Sequence, residues 1–196
     1  MVDTLVGVII GGFLAIVSQV ALDLLRARSA RRSSHRDAVN AARIRQWLFY
    51  STQHLVRDSI ESGRWWPDER SSLWLPTEQE LRQLTELLPY EVWAVYTAAA
   101  RRLSLCANLR RRAGENPAPI DRPCIQQLVG TFVILDTARR ALEPVTRTHS
   151  ADMDLDCSSL SRADIEQGLL THAAEHIDTD KWRRVLVPGV VSQANG

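Results

Sequence analysis

TLVGVIIGGFLAIVSQVAL, residues 4–22, carries no charged side chain in 19 positions. At about 1.5 Å of rise per helical residue it covers roughly 28 Å, close to the ~30 Å hydrocarbon core of a bilayer. It reads as a membrane-spanning helix. The flanks set its direction: Asp3 precedes it, whereas Arg26, Arg28, Arg31, Arg32 and Arg36 follow it. Cytoplasmic flanks carry the excess of basic residues, so the N-terminus is expected outside and the remainder of the chain in the cytoplasm. A cleaved secretory signal would need a basic leader and a shorter apolar core, and the leader here is acidic.

Within the span Gly7, Gly11, Ala15 and Gln19 recur every fourth position. Small residues at that spacing let two helix backbones approach closely, and a glutamine can hydrogen-bond across the groove, so self-association is expected through this face. The arginines that follow suit anionic lipid, which attracts juxtamembrane cations at about 1 kcal/mol per charge near the surface.

The organisation expected is an anchor over residues 1–25, a basic juxtamembrane segment over 26–36, a cytosolic helical domain over 37–187 and a flexible tail over 188–196. Hydrophobic content of 45% and charged content of 24% are ordinary for a globular domain, and the net charge of +1 conceals local arginine clusters. Only Lys181 among the 24 basic residues is a lysine, a bias characteristic of a GC-rich genome, so a bacterial inner-membrane protein is expected. Cys106, Cys124 and Cys157 form no C-x-x-C pair and are odd in number, which reads as free thiols on a reducing side of the membrane.

The domain itself is all-α. Ser34 and Asp37 form a capping pattern, and residues 34–62 place Ile44, Leu48 and Leu55, with Trp47 and Val56, at helical spacing before Gly63. Residues 63–76 read as a loop with Trp65, Trp66 and Trp74, the lid of a core in preference to a membrane-interface or ligand surface. Thr77 and Glu80 form a capping box for a short helix, and Pro89 opens a helix ending before Gly114 with Arg110, Arg111 and Arg112 set against its macrodipole. Asp121 caps a helix reaching Leu142, with Ile125, Leu128, Val129, Phe132 and Leu135 on its core face. Ser161 and Asp164 open a last helix through about Val185. No alternating run between tight-turn residues suggests a strand, and the expected architecture is an anchor followed by an irregular bundle of about five helices.

Two patterns bear on chemistry. His172-Ala173-Ala174-Glu175-His176 fits H-x-x-E-H and resembles the inverted zinc metallopeptidases, which implies two histidine ligands and a glutamate that activates water. That family draws a third ligand from a downstream glutamate, and no glutamate follows His176. A catalytic zinc needs three protein ligands, so these histidines read as structural continuations of the Ile165, Leu169 stripe. Asp152, Asp154 and Asp156 resemble the start of an EF-hand loop, but Cys157 stands where glycine is required and Ala163 where the bidentate glutamate belongs. Glycine-rich phosphate loops and the nucleophile elbow are absent from the sequence. No cofactor is expected. The reading that remains is a membrane-tethered, non-catalytic module for protein interaction or assembly, with membrane lipid, a second copy of the chain or another protein as partner. A metal-dependent enzyme built on His172, Glu175 and His176, and an anionic-lipid or nucleic-acid binder using the arginines, are the competing readings.

Overall fold

The computed structural model describes residues 2–66, 77–114, 119–172 and 177–187, with side chains from Gln19 onward apart from Gln79 and His172. The regular structure among the described residues is all helix, with no strand: α1 is Val2–Ser62, α2 Glu78–Leu87, α3 Tyr90–Arg112, α4 Arg122–Ala141, α5 Glu143–Thr146, α6 Arg162–His172 and α7 Thr179–Leu186. Contacts divide the chain into two units, Met1–Ala38 and Val39–Gly196. Among the described residues no helix is long and apolar enough to cross a membrane. The expected span, residues 4–22, lies outside the described side chains except from Gln19 to Leu22. No new helix begins at Ser34, because α1 passes through Ser33 and Ser34 as continuous helix.

In the second unit the core gathers around α4. Its middle, Leu128 to Asp136, is buried on every side, so the predicted face of Leu128, Val129, Phe132 and Leu135 is only part of what it buries. Asp121 caps α4 as the sequence indicates, its side chain accepting from the Cys124 amide at 2.9 Å. Tyr96, Ala99, Leu103 and Cys106 of α3 pack into the same core. Cys106, Cys124 and Cys157 are free thiols. Burial pushes Cys106 up to about 11, and burial together with Asp121 raises Cys124 to about 12, so both are protonated and unreactive at neutral pH.

The local punctuation follows the sequence. Gly63 ends α1 at φ +66° and Gly114 follows α3 at φ +77°, left-handed conformations that favour glycine. Thr77 and Glu80 form the full capping box of α2: the Glu80 amide donates to Thr77 Oγ1, and the Thr77 amide donates to Glu80 Oε2 at 2.7 Å. Pro89 stands one position outside α3 as its N-cap instead of opening it. Of the loop tryptophans, Trp66 is buried in the core and Trp65 packs partly against it, while Trp74 lies outside the described residues.

Three further expectations change. The face that α1 buries in the second unit is Ala41, Ala42, Phe49, Val56 and Ile60 with Arg45, Gln46, Thr52 and Gln53, whereas Ile44 and Trp47 are exposed. Val56 is buried and Leu55 packs against the core as read from the sequence, but around Ile44 and Trp47 the stripe is rotated off the true one, because Arg45, Gln46 and Gln53 find partners on other elements. Second, the last helix is two: α6 and α7 are separate, and Asp178 caps α7 by accepting from the amides of Asp180 and Lys181. Third, Arg110 is buried instead of lying along the end of its helix, donating to the Trp66 carbonyl and to the Gly114 carbonyl at 2.7 Å. Met153 and Cys157 are likewise buried, so the acidic stretch after α5 lies against the core.

Helix α6 lies close on α4. A Cβ at Gly168 would fall 2.7 Å from the Gln126 carbonyl oxygen, a backbone atom with little room to move, so only glycine fits this crossing without a shift. The crossing is pinned by Asp164, which accepts from Arg122 Nε, from Gln126 Nε2 at 2.7 Å and from Ser161 Oγ at 2.5 Å. The Arg122 guanidinium foremost, with Ser161, holds the Asp164 carboxyl at about 2, below its ordinary 3.8. A depressed carboxyl contributes stability above its ordinary range and loses it as pH falls through the folded value. Asp164→Asn is therefore expected to be less stable than the parent at neutral pH, with the difference shrinking between about pH 4 and about pH 2. Urea unfolding of both proteins across that range checks it; a difference independent of pH would show that the charge of Asp164 is not what is stabilising.

Candidate functional site

The sequence-predicted residues fall into three groups. The surroundings of Gly7, Gly11 and Ala15 lie outside what the structure describes, and Gln19 is exposed. Arg26, Arg28, Arg31, Arg32 and Arg36 are all exposed on α1. Arg28, Arg32 and Arg36 follow one another at one-turn spacing, a stripe of cations interrupted by no carboxylate along that row. Asp23 lies 3.6 Å from Arg26, an exposed pair that contributes little. His172 closes α6 with its side chain not described, and Glu175 and His176 lie outside the described residues. Among the described residues no group of three or more His, Cys, Asp or Glu is placed to hold a metal.

A site that the sequence did not announce lies in the second unit, where α1 meets the end of α4 and the segment after α5. It is a cavity of about 380 Å³. Helix α1 supplies Arg43, Gln46, Trp47 and Tyr50 to its lining; Arg139 comes from α4, and Thr148 to Ala151 close the remaining side. Trp47 is 64% exposed, a large aromatic left with most of its surface in solvent. Tyr50 is half-covered, with the Arg139 guanidinium 5.2 Å above its ring centre and His54 edge-on at 4.6 Å.

Beneath that rim the floor is polar and tightly bonded. The two hydrogens of Gln46 Nε2 are shared among the Arg139 carbonyl at 3.3 Å, the Thr148 carbonyl at 3.4 Å and Ser150 Oγ at 3.0 Å. Its oxygen accepts from Thr146 Oγ1 at 2.8 Å and Thr148 Oγ1 at 2.5 Å. One amide therefore joins α1 to residues about a hundred positions later. Arg139 is 1% exposed and donates to Asp136 and to the Ala151 carbonyl, both at 2.6 Å. Asp136 also accepts from Arg140 Nε at 2.6 Å and Gln53 Nε2 at 3.4 Å, so the buried carboxylate and guanidinium are neutralised within the wall. Arg140 also reaches Asp152 at 2.6 Å, and these two carboxylates raise its pKa.

Arg43 differs from the other arginines at the site. Its Nε and Nη2 donate to the Thr146 carbonyl at 3.3 and 3.2 Å, and among the described residues it pairs with no carboxylate. The nearby acid, Glu143, is already bound: it accepts from the Ser150 amide at 2.9 Å and lies 3.8 Å from His149. Burial pushes the Glu143 carboxyl up, but the bonds from Ser150 outweigh that and hold it below its usual value. The arrangement offers a fixed cation and two aromatic faces around an open space, suited to binding. Its signal in the sequence is the seven-residue spacing of Gln46 and Gln53, two amides on the buried side of one helix.

Compared with protein-family models, curated proteins and solved structures, the chain finds no match.

Gln46→Leu keeps the approximate volume but strands Thr148, Ser150 and two carbonyls. It is expected to destabilise the protein by about 2–4 kcal/mol, read as a lowered urea midpoint with an unchanged slope. A loss under about 0.5 kcal/mol would mean that water replaces the amide without cost.

Proposed function

We propose that this chain is a single-pass membrane protein with its N-terminus outside and its helical bundle in the cytoplasm, serving as a tethered module for protein interaction or assembly. One observation carries the reading: an uncharged stretch over residues 4–22 is followed on one side only by Arg26, Arg28, Arg31, Arg32 and Arg36. The exposure of all five supports it, since guanidiniums engaged in the fold would have another explanation. Exposed Val20 and Leu22 at the end of the stretch, and Leu24 and Leu25 just after it, support it further, being large apolar side chains left uncovered. The arginines would rest against anionic headgroups of the inner leaflet of a bacterial membrane.

Association with a second copy, or docking of another protein, is the use to which such a tether is put in this reading. Gly7, Gly11, Ala15 and Gln19 supply the self-association face within the lipid, where close backbone approach replaces the missing hydrophobic drive.

Three outcomes are expected. Alkaline phosphatase fused after Gly196 should be inactive and a fluorescent cytoplasmic reporter bright. Replacing the five arginines by glutamine should turn a measurable fraction of the chains around. Phosphatase activity in the parent fusion, or protein left in the supernatant after membranes are sedimented, contradicts the topology. In a membrane two-hybrid assay Gly11→Ile should weaken self-association while Val8→Ile, on another face, should not. Equal signals from both would leave assembly to the bundle.

A further inference from the structure

We infer that the cavity between α1, the end of α4 and the segment after α5 binds a small organic carboxylate with a planar apolar body. The inference concerns the second unit alone and stands whether or not the chain is membrane-tethered.

The charge of the ligand follows from Arg43. A guanidinium has five N–H donors in a rigid plane, and the Thr146 carbonyl takes the Nε edge. The other edge, Nη1 with the second hydrogen of Nη2, has no acceptor among the described residues and matches the two oxygens of a carboxylate. Arg43 is exposed, and its two bonds to the Thr146 carbonyl already restrict the guanidinium plane that would meet a ligand. The surrounding charges do not compete for it. Arg139 and Arg140 are taken up by Asp136, Arg140 additionally by Asp152, and Glu143 is occupied by Ser150 beside His149. Arg43 is thus the arginine of this cavity that meets no carboxylate within ion-pair distance among the described residues.

The body of the ligand follows from Trp47 and Tyr50. Both line the cavity from the same face of α1, three residues apart and so neighbours on the helix surface. The Tyr50 ring is held between Arg139 and His54, which fixes its plane, whereas most of Trp47 has no protein cover. A flat apolar group is the shape that buries such a face. A volume of about 380 Å³ suits a molecule of one or two fused rings and lies in the range of small-molecule sites.

The test uses the full chain, in nanodiscs with empty nanodiscs as the blank if it sediments with membranes and in plain buffer if it does not, and the matched probes 2-naphthoate and 2-naphthamide, equal in shape but different in charge. Calorimetry is expected to show the carboxylate binding about tenfold more tightly than the amide, the usual strength of one charge-assisted pair. Arg43→Gln should erase the preference while leaving the amide's affinity unchanged, and Arg43→Lys should restore part of it. Trp47→Ala alters an exposed side chain and so leaves folding untouched, and it should weaken both probes. Equal affinities for the two probes in the parent, absence of saturable binding up to millimolar 2-naphthoate, a preference that survives Arg43→Gln, or full affinity in Trp47→Ala would each overturn the assignment. Because the readout is the charge preference of the bundle, its failure is separate from any failure of the reporter fusions.

Discussion

A guanidinium that is 99% withdrawn from solvent must be neutralised and hydrogen-bonded where it stands, and Arg139 imposes that demand on everything around it. Asp136, one turn back on α4, supplies the charge, and the Ala151 carbonyl supplies an acceptor from beyond α5. Neither is enough to hold Asp136 in turn, whose remaining lone pairs call in Arg140 and Gln53. The position of α1 in the bundle and the path of the chain after α5 are thus set by a charge on the central helix. Replacing such a pair with apolar residues of similar volume is often neutral for stability, so its consequence here is geometric: it dictates which neighbours are allowed.

The same demand accounts for the cavity. Gln46 and Gln53 take the buried side of α1, and the large apolar groups Ile44 and Trp47 are turned outward. Had α1 buried its most apolar stripe, Trp47 would fill the core and Arg43 would not meet the Thr146 carbonyl. A polar floor beneath an aromatic rim results from placing amides where leucines are ordinarily found.

What the sequence disclosed follows from how far each interaction reaches. The caps at Thr77, Asp121 and Ser161 and the stops at Gly63 and Gly114 depend on residues within four positions, and all were legible. The orientation of α1 depends on Thr146, Thr148 and Ser150, roughly a hundred residues away, and a periodicity argument confined to one helix cannot see them. Arg110 looked like a helix-end cation because nothing near it in sequence announces the Trp66 carbonyl. Asp178 carried a local signal that the separation of α7 makes plain: an aspartate followed two and three residues later by amides it can cap. The cavity leaves only the spacing of Gln46 and Gln53 as a trace in the sequence, since its walls come from three separated stretches of chain.

Glu80 joins two of these scales in one atom. Its Oε2 accepts from the Thr77 amide at the start of α2 and from Arg45 Nη2 of α1 at 2.6 Å. Burial raises its carboxyl, but the bonds from Thr77 and Arg45 more than offset that and leave it below the ordinary value. A ten-residue helix is too short to persist alone in water, so α2 depends on what it is fastened to. Fraying its first turn would also withdraw a partner from a guanidinium that is 5% exposed. Local opening of α2 is therefore penalised in the interior of the bundle, and the helix should exchange its amide hydrogens together with the stretch of α1 around Arg45 instead of breathing independently.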